Sequence, residues 1–404
     1  MALRSLEIGI VGCGIAGQAA ASFLADAGLH VTVLERFEQP HPVGAGLLLQ
    51  PTGLSVLRTL GLEQDALAAG ARIEGLWGEN QWGLRILDLA YGDLHPAAFG
   101  LGIRRSALFD LLHRCMLGSG ARLVTGVDIV EVERDGARAV AVDRKGGRHG
   151  PFDLLVVADG AHSALRERVM PGARAPLYPW GCIWTTVPDT QAFGAVRLLR
   201  QRFVGTTTMM GLLPVAPDWL TMFWSLPTPA LASDRPIDLE AVRREALSIW
   251  PDAASIIERA VNAGDFARAT YRHVTLPRWN EGPVLFLGDS AHGTSPQLGQ
   301  GANLGLLDAH ALGRSLAEAN DLSQAMDLFV RRRGPPSRFY RNASHLLTPF
   351  FQSDHEWLAI PRDLALSRAC QVPVVRPMLT SALAGLRRSW LSADGLDADG
   401  RYPL

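Results

Sequence analysis

Between residues 8 and 35 the chain reads as strand, glycine turn, helix and strand. Ile8-Gly9-Ile10-Val11 is a short apolar run, Gly12, Gly14 and Gly17 follow it as G-x-G-x-x-G, and a helical pattern carries on to Gly28. A second strand, His30 to Leu34, then ends at Glu35, 18 residues past Gly17. Two strands joined by one helix leave little choice but a βαβ unit of a Rossmann-like fold. Gly12 permits the tight turn, Gly14 lets a pyrophosphate approach the backbone, and Gly17 lets helix and strand pack closely. The acidic residue about 20 positions on is placed for a ribose hydroxyl, so the ligand expected here is a dinucleotide with a free ribose.

A second stretch of the same kind lies late in the chain, at Gly282 to Asp308. Pro283-Val284-Leu285-Phe286-Leu287 is short enough for a buried strand. Gly288-Asp289 turns out of it, a loop holds Pro296, Gly299 and Gly301, and a helix resumes past Asn303. Strand, glycine loop and helix N-terminus again converge backbone N–H groups on an electron-rich ligand.

Composition narrows the class. A chain of 404 residues with 48% hydrophobic and 20% charged residues has material for a sizeable core and two domains. A net charge of −1 gives no electrostatic case for nucleic acid or an anionic membrane. Cys13, Cys115, Cys182 and Cys370 are scattered without metal-ligand spacing, so no metal is expected. The first strand begins within a few residues of Met1 and no apolar run approaches about 20 residues. A cytoplasmic protein without signal peptide or membrane span is therefore expected.

Between the two glycine loops the pattern changes repeatedly. Phe37 to Pro51, with Val43-Gly44-Ala45-Gly46, fits either backbone close to a ligand or a plain connector. Helices are predicted near Gly53–Leu60 and Glu63–Ala69, and a hairpin within Ala71–Leu89. Arg105 opens a helix that runs to Leu117, against the helix dipole, which suits either a phosphate contact or an ordinary solvated arginine. Arg122–Thr125, Ile129–Glu133 and Ala139–Asp143 read as a β-meander leading to a buried strand, Phe152–Ala158. Leu177 to Leu226, rich in β-branched and aromatic residues, reads as an antiparallel sheet. Helices over Leu239–Ile249 and Ala253–Ala263 follow, then a strand near Tyr271–Leu276. A helix is expected over Leu322–Leu328 and again, past Pro335-Pro336, over Ser337–Leu347, with a helical segment in His355–Trp390.

Three motifs in order resemble the single-component flavoprotein monooxygenases of the para-hydroxybenzoate hydroxylase type, the class A family. They are the Gly12-x-Gly14-x-x-Gly17 loop with Glu35-Arg36, then Asp159-Gly160-x-x-Ser163-x-x-Arg166. The third is Gly288-Asp289-Ser290-Ala291-His292 with Pro296 and Gly299-Gln300-Gly301-x-Asn303. The resemblance implies an α/β fold in which a Rossmann-like, glutathione-reductase-type FAD-binding domain carries an inserted antiparallel β-sheet substrate domain and C-terminal helices. The expected division is 1–70, 100–175 and 275–345 for FAD, 71–99 and 176–274 for the substrate sheet, and 346–404 for the helical end. FAD would be held by Gly12, Gly14, Ile15, Ala16, Gly17, Glu35, Arg36 and Asp159. Arg105 would reach its phosphates, Ile129 would lie beside adenine, and Asp289 would hydrogen-bond the ribityl chain. Pro296 and Gly299 would line the flavin, with the N–H groups of Gly301, Ala302 and Asn303 facing its pyrimidine edge. NADPH or NADH would serve as transient reductant and O2 as co-substrate.

The activity so implied is hydroxylation of an aromatic or polycyclic small molecule through a flavin C4a-hydroperoxide. The alternative is an FAD-bound reductase or dehydrogenase of the same fold without oxygen insertion, and a third reading is a non-enzymatic flavin-binding protein. A halogenase is excluded, since Lys145 is the only lysine and no W-x-W-x-I-P pattern is present. The cofactor carries the hard step, so no protein nucleophile is required. Pro296, His292, His95 and Tyr178 are the candidates for a catalytic role. For a substrate pocket the candidates are Trp82, Trp184, Phe203, Met209, Met210, Phe223 and Trp224, each of which also suits an ordinary core. One of Arg197, Arg200 and Arg202 could instead grip a carboxylate. A monomer or homodimer is expected.

Overall fold

The computed structural model describes residues 5–42, 44, 46–233 and 235–404. Val43 and Ala45 of the glycine-containing connector lie outside the described residues. A six-stranded sheet sits at the centre of the nucleotide half. Its order is Asn280–Glu281, Val284–Phe286, Leu154–Val157, Glu7–Val11, His30–Leu34 and Arg122–Val124, parallel except for the first pair. Ile8, Ile10, Leu155 and Val156 are fully buried, as expected of strands covered on both faces. The helices Ile15–Asp26 and Gly301–Glu318 pack together on one face, and Arg105–Gly118 packs on the first of them.

The sequence pattern anticipated a meander after residue 122. Arg122–Val124 instead joins the parallel sheet beside His30–Leu34, through Thr32↔Arg122 and Leu34↔Val124. Only Ile129–Asp135, Arg138–Asp143 and Arg148–Phe152 form the antiparallel three-stranded sheet. Three residues are too few for periodicity to separate a parallel edge from a meander strand; the partner decides.

The second large sheet has seven strands, in the order Ala267–Ala269, Trp180–Pro188, Trp219–Pro227, Thr208–Ala216, Leu198–Val204, Gly75–Asn80 and Arg85–Ala90. It is antiparallel save for one parallel pairing, Leu198–Val204 with Gly75–Asn80, where the two separate parts of the chain meet. The strand expected near Tyr271–Leu276 lies earlier, at Ala267–Ala269, and residues 271–276 run as an irregular segment tied by the bridges Leu177↔Arg272 and Arg174↔Thr275. The helices Leu239–Ile249 and Ala254–Ala263 cover one face of this sheet through Trp250, Ile256 and Ile257. A small sheet of Gly46–Leu49, Gly100–Arg104 and Ala71–Ile73 links the two large ones.

Past the second glycine loop, Leu322–Phe351 is one continuous helix of 30 residues with Pro335 and Pro336 inside it, rather than two helices. Asp321 caps its start by accepting from Gln324 N at 2.8 Å. Proline removes a helical hydrogen bond, but the apolar stripe of Phe329, Phe339, Tyr340 and Ala343 is buried on both sides of the pair and holds the helix together. Ala359–Ala369 and Val375–Leu383 supply the C-terminal helices. Among the described residues no helix is long and apolar enough to cross a membrane.

Candidate functional site

At the end of the first strand Gly12 adopts φ +104°, a conformation that side chains rarely take, and a Cβ there would lie 2.6 Å from the Ala158 carbonyl oxygen. A Cβ on Gly17 would stand 2.0 Å from the Gly12 carbonyl oxygen, so only glycine lets the helix start so close to the strand. Around Gly14 nothing lies within 4 Å of such an atom. That open side faces a cleft of about 300 Å³ lined by Gly12, Gly14, Ile15, Glu35, Arg36, Arg105, Ile129 and Asp159. Eight of the residues anticipated for the cofactor thus meet in one cavity. Ala16 and Gly17 lie behind it, in the helix that follows, where Ala16 packs against Gly288 and Gly305.

Glu35 accepts from the backbone N–H of Cys13 at 2.7 Å and of Phe37 at 3.0 Å, one bond to each carboxylate oxygen. Each oxygen keeps a lone pair for a further donor. Arg105 is partly buried beside Asp289 and Tyr271, and among the described residues no carboxylate lies within ion-pair distance of it. Burial pushes its guanidinium below the ordinary arginine range, against the pull of Asp289 and Tyr271. A buried cation without a counter-ion at the mouth of a glycine turn suits a pyrophosphate. Asp159 has Oδ1 buried without a hydrogen-bond partner, and burial raises its carboxyl to about 6, with Arg166 opposing.

The second and third motifs meet through Arg166. Its guanidinium donates to the Ser290 carbonyl at 2.9 Å, to Gly160 at 3.1 Å and to Ala161 at 2.9 Å, so it clamps one loop on the other. Asp289 is exposed, with Oδ1 3.5 Å from where a Cβ on Gly301 would stand. The Gly301–Glu318 helix begins there, and its N-cap, Gln300, makes no side-chain cap. The first N–H groups of a helix have no intrahelical partner, so Gly301, Ala302 and Asn303 offer theirs to a ligand. The Asn303 side chain is spent elsewhere, accepting from Gln50 N at 2.8 Å and donating to Leu48 and Gly299 carbonyls at 3.2 Å. Pro296 and Gly299 form the turn just before this helix. These features fit an FAD whose pyrophosphate lies at Gly14 and Arg105 and whose flavin edge meets the uncapped N-terminus.

The four catalytic candidates separate. His292 is buried, with Nε2 at 2.6 Å from Asp308 Oδ2, while Arg333 Nε holds Asp308 Oδ1 at 2.6 Å. Burial pushes the Asp308 carboxyl up, but His292 and Arg333 outweigh it and hold it below the usual range. His292 therefore stands as a structural tie between the third motif and the helix after it. His95 accepts from Ala97 N at 3.2 Å and packs against Gly400, among none of the cleft residues. Tyr178 is buried with its hydroxyl 3.2 Å from Thr294 Oγ1, next to Ser295 and Pro296.

The proposed substrate residues also divide. Trp82 is 72% exposed at a hairpin tip, while Trp224 and Met210 are buried in the core under the helices Leu239–Ile249 and Ala254–Ala263. Trp184 and Phe223 pack with centroids 4.9 Å apart and rings tilted by 41°, beside Cys182 and Tyr271, which approaches Arg105. None of the three arginines is left to grip a carboxylate: Arg197 pairs with Glu74, Arg202 with Glu79, and Arg200 lies over Phe193 and Trp250. Sequence reasoning passed over Tyr271, His162 and Arg272, the last donating to His162 Nδ1 at 3.1 Å. Tyr271 and Arg272 sit in no motif and His162 occupies a variable position of the second one, so no residue-type signal marked them; of the three, His162 lines the cleft.

Comparison with known proteins agrees with this geometry. The family model described as FAD binding domain matches residues 5–328. The aurachin C monooxygenase/isomerase of Stigmatella aurantiaca is 29% identical over 80% of this chain and 83% of its own. The FAD-dependent urate hydroxylase of Klebsiella oxytoca is 29% identical over 80% of this chain and 85% of its own. Among solved structures, Klebsiella pneumoniae HpxO complexed with FAD and uric acid superposes with a TM-score of 0.78 at 20% identity, covering 94% of this chain and 97% of that one. With two glycine loops, a clamp between them and a family match across most of the length, the chain belongs to the FAD binding domain family, among the class A FAD-dependent monooxygenases.

Proposed function

We propose that the protein uses NAD(P)H and O2 to hydroxylate a neutral, fused-ring aromatic compound at the flavin edge beside Gly301–Asn303. The observation that carries this reading is the state of the three arginines of the Leu198–Val204 strand and its start. All three are engaged within the protein, so none of them is offered to a substrate carboxylate at the wall of Trp184, Phe223 and Tyr271, and Arg105, which approaches Tyr271, is assigned to the FAD pyrophosphate. Relatives named for urate and for 2-heptyl-3-hydroxy-4(1H)-quinolone, both fused bicyclic rings, support the fused-ring part of this reading.

FAD, when bound, supplies the hydride acceptor and the ring that activates oxygen. The protein's share is positional. Gly14, Glu35 and Arg105 hold the adenosine and pyrophosphate end. The N–H groups of Gly301, Ala302 and Asn303 stabilise negative charge at the pyrimidine edge. Pro296 and the aromatic wall exclude water and orient the substrate ring. The reduced nicotinamide cofactor approaches over Arg272, Arg36 and His162, whose positive surroundings suit a pyrophosphate; burial and these arginines lower the His162 imidazole below its ordinary range.

The division into an FAD part (1–70, 100–175, 275–345), a substrate sheet (71–99, 176–274) and a helical end (346–404) follows from this reading, as does a monomer or homodimer that size-exclusion chromatography would test. NAD(P)H oxidation with oxygen uptake across phenols, quinolones and polycyclic aromatics tests the activity. Substrate-stimulated oxidation giving a product heavier by one oxygen is the expected result. A hydrogenated product formed without oxygen would overturn the reading in favour of a reductase.

A further inference from the structure

We propose that Tyr178, His273 and His345 form a proton relay joining the flavin loop at Thr294 to solvent. The inference rests on the monooxygenase reading above. A turnover that converts NAD(P)H, O2 and a substrate to NAD(P)+, a hydroxylated product and water takes up one proton. That proton has to reach a site whose chemistry requires water to be kept out.

The three side chains are arranged for the task. The Tyr178 hydroxyl lies 3.1 Å from His273 Nδ1, 3.1 Å from His345 Nδ1 and 3.2 Å from Thr294 Oγ1. A phenolic hydroxyl has one proton and two lone pairs, so it donates to one of these partners and accepts from the other two. At least one imidazole must then carry its proton on Nδ1. The two rings stack with centroids 4.0 Å apart. Tyr178 is buried, His273 is half-buried and His345 is exposed, so the three descend from the flavin loop to the surface. Thr294 adjoins Ser295, whose hydroxyl meets Thr348 Oγ1 at 2.6 Å and so fixes the loop on the Leu322–Phe351 helix that carries His345.

A purely structural tie would need no titratable ring, and two imidazoles on one hydroxyl add no packing that a leucine would not. The charged groups around the pair favour one carrier. Burial, His345 and Arg341 push the His273 imidazole down to about 4, so it stays neutral and orients the hydroxyl. Arg341 is itself lowered by burial and by Arg338, and its positive charge keeps a proton off the inner ring. The exposed His345 is left to exchange with solvent. In the step, His345 protonated on both nitrogens passes its Nδ1 proton to the Tyr178 oxygen, Tyr178 passes its own to Thr294 Oγ, and Thr294 releases its proton to the oxygen atom of O2 that departs as water. His345 is left neutral with its proton on Nε2, and each hydroxyl regains one proton. Tyr178, His273 and His345 are positioning residues here and touch neither substrate nor flavin in this scheme.

The test uses the full-length FAD-loaded enzyme with Tyr178→Phe and His345→Ala, each checked for full flavin content. Turnover should fall about 10- to 100-fold, with a changed pH profile and solvent isotope effect. Added imidazole should restore His345→Ala in proportion to its concentration but not Tyr178→Phe. Independently of activity, nitrogen-15 NMR of histidine-labelled protein should show, beside the Nδ1-protonated rings of His30 and His41, a further neutral imidazole protonated on Nδ1, a signal lost in Tyr178→Phe. Two Nε2-protonated rings, or variants that keep the parent pH profile and ignore imidazole, would overturn the relay. Absence of oxygen insertion by the parent would overturn the monooxygenase reading instead, and the NMR signal would still judge the geometry.

Discussion

His292 Nε2 stands 2.6 Å from Asp308 Oδ2, so the histidine of the third motif is bonded to the helix that follows it and not turned into the cleft. Asp308 also holds Arg333 of the next helix, at 2.6 Å, and the carboxylate has no exposed surface. One buried acid thereby joins three elements.

Asp308→Asn leaves Arg333 buried without its counter-charge. Removing one partner of a buried pair costs about 3–5 kcal/mol. Chemical denaturation should show a loss of that order. Substitution of an exposed partner, such as Glu318 of the Arg332 pair, should leave the denaturation midpoint nearly unchanged, because solvent screens that pair.

Gly17→Ala is expected to yield protein without bound flavin. Its Cβ would meet the Gly12 carbonyl oxygen at 2.0 Å, which forces apart the strand and helix that shape the pyrophosphate turn. Gly14→Ala meets nothing within 4 Å in the protein itself, so any loss there would come from the ligand. Flavin absorbance of the purified variants, with circular dichroism to confirm folding, separates the two effects.

Arg105→Met should weaken FAD binding without unfolding the protein. Charge-assisted hydrogen bonds contribute about 1.5–3 kcal/mol, roughly a 10- to 100-fold rise in Kd by equilibrium dialysis. Because the guanidinium has no carboxylate partner here, the apoprotein should keep its thermal midpoint or gain slightly.

Acid should destabilise the fold through His310. Burial, with Arg314, Arg332 and Arg333 nearby, lowers its imidazole from 6.5 to about 4. Between those values the native state binds fewer protons than the unfolded chain, so stability is lost as pH falls from 6.5 toward 4. Asp159 acts in the opposite sense, since its carboxyl, raised from 3.8 to about 6, holds a proton that the unfolded chain releases. His310→Asn isolates the first effect. Its thermal midpoint should fall less between pH 7 and pH 5 than that of the parent, as scanning fluorimetry would read.

The glycine turns were legible in the sequence because their chemistry is local. Gly12, Gly14 and Gly17 are fixed by spacing to a strand and a helix, and Glu35 by the length of the unit they begin. Arg105 was noticeable because it opposed its own helix dipole, and the fold supplies the reason. What stayed hidden depends on contacts far apart in the chain. Nothing in residues 122–124 distinguishes a meander from a parallel edge, because only the neighbouring His30–Leu34 strand decides it. Trp82 and Trp224 look alike in sequence, yet one sits on a hairpin tip and the other under two helices. Tyr271, His273 and His345 belong to no motif, and only the irregular path of residues 271–276 and the long helix carry them to Tyr178.

The Arg166 clamp takes all three of its acceptors from main-chain carbonyls, those of Gly160, Ala161 and Ser290. Such a fastening is indifferent to the side chains it grips. Residue 161 can therefore drift, whereas Ser290 stays tied by its own hydroxyl to Val157 and Leu287, and the seven-stranded sheet, which contributes no acceptor to the clamp, can be exchanged for one of different lining. Retargeting this scaffold to new ring systems should accordingly begin from the wall of Trp184, Phe223 and Tyr271 and leave the fastening untouched.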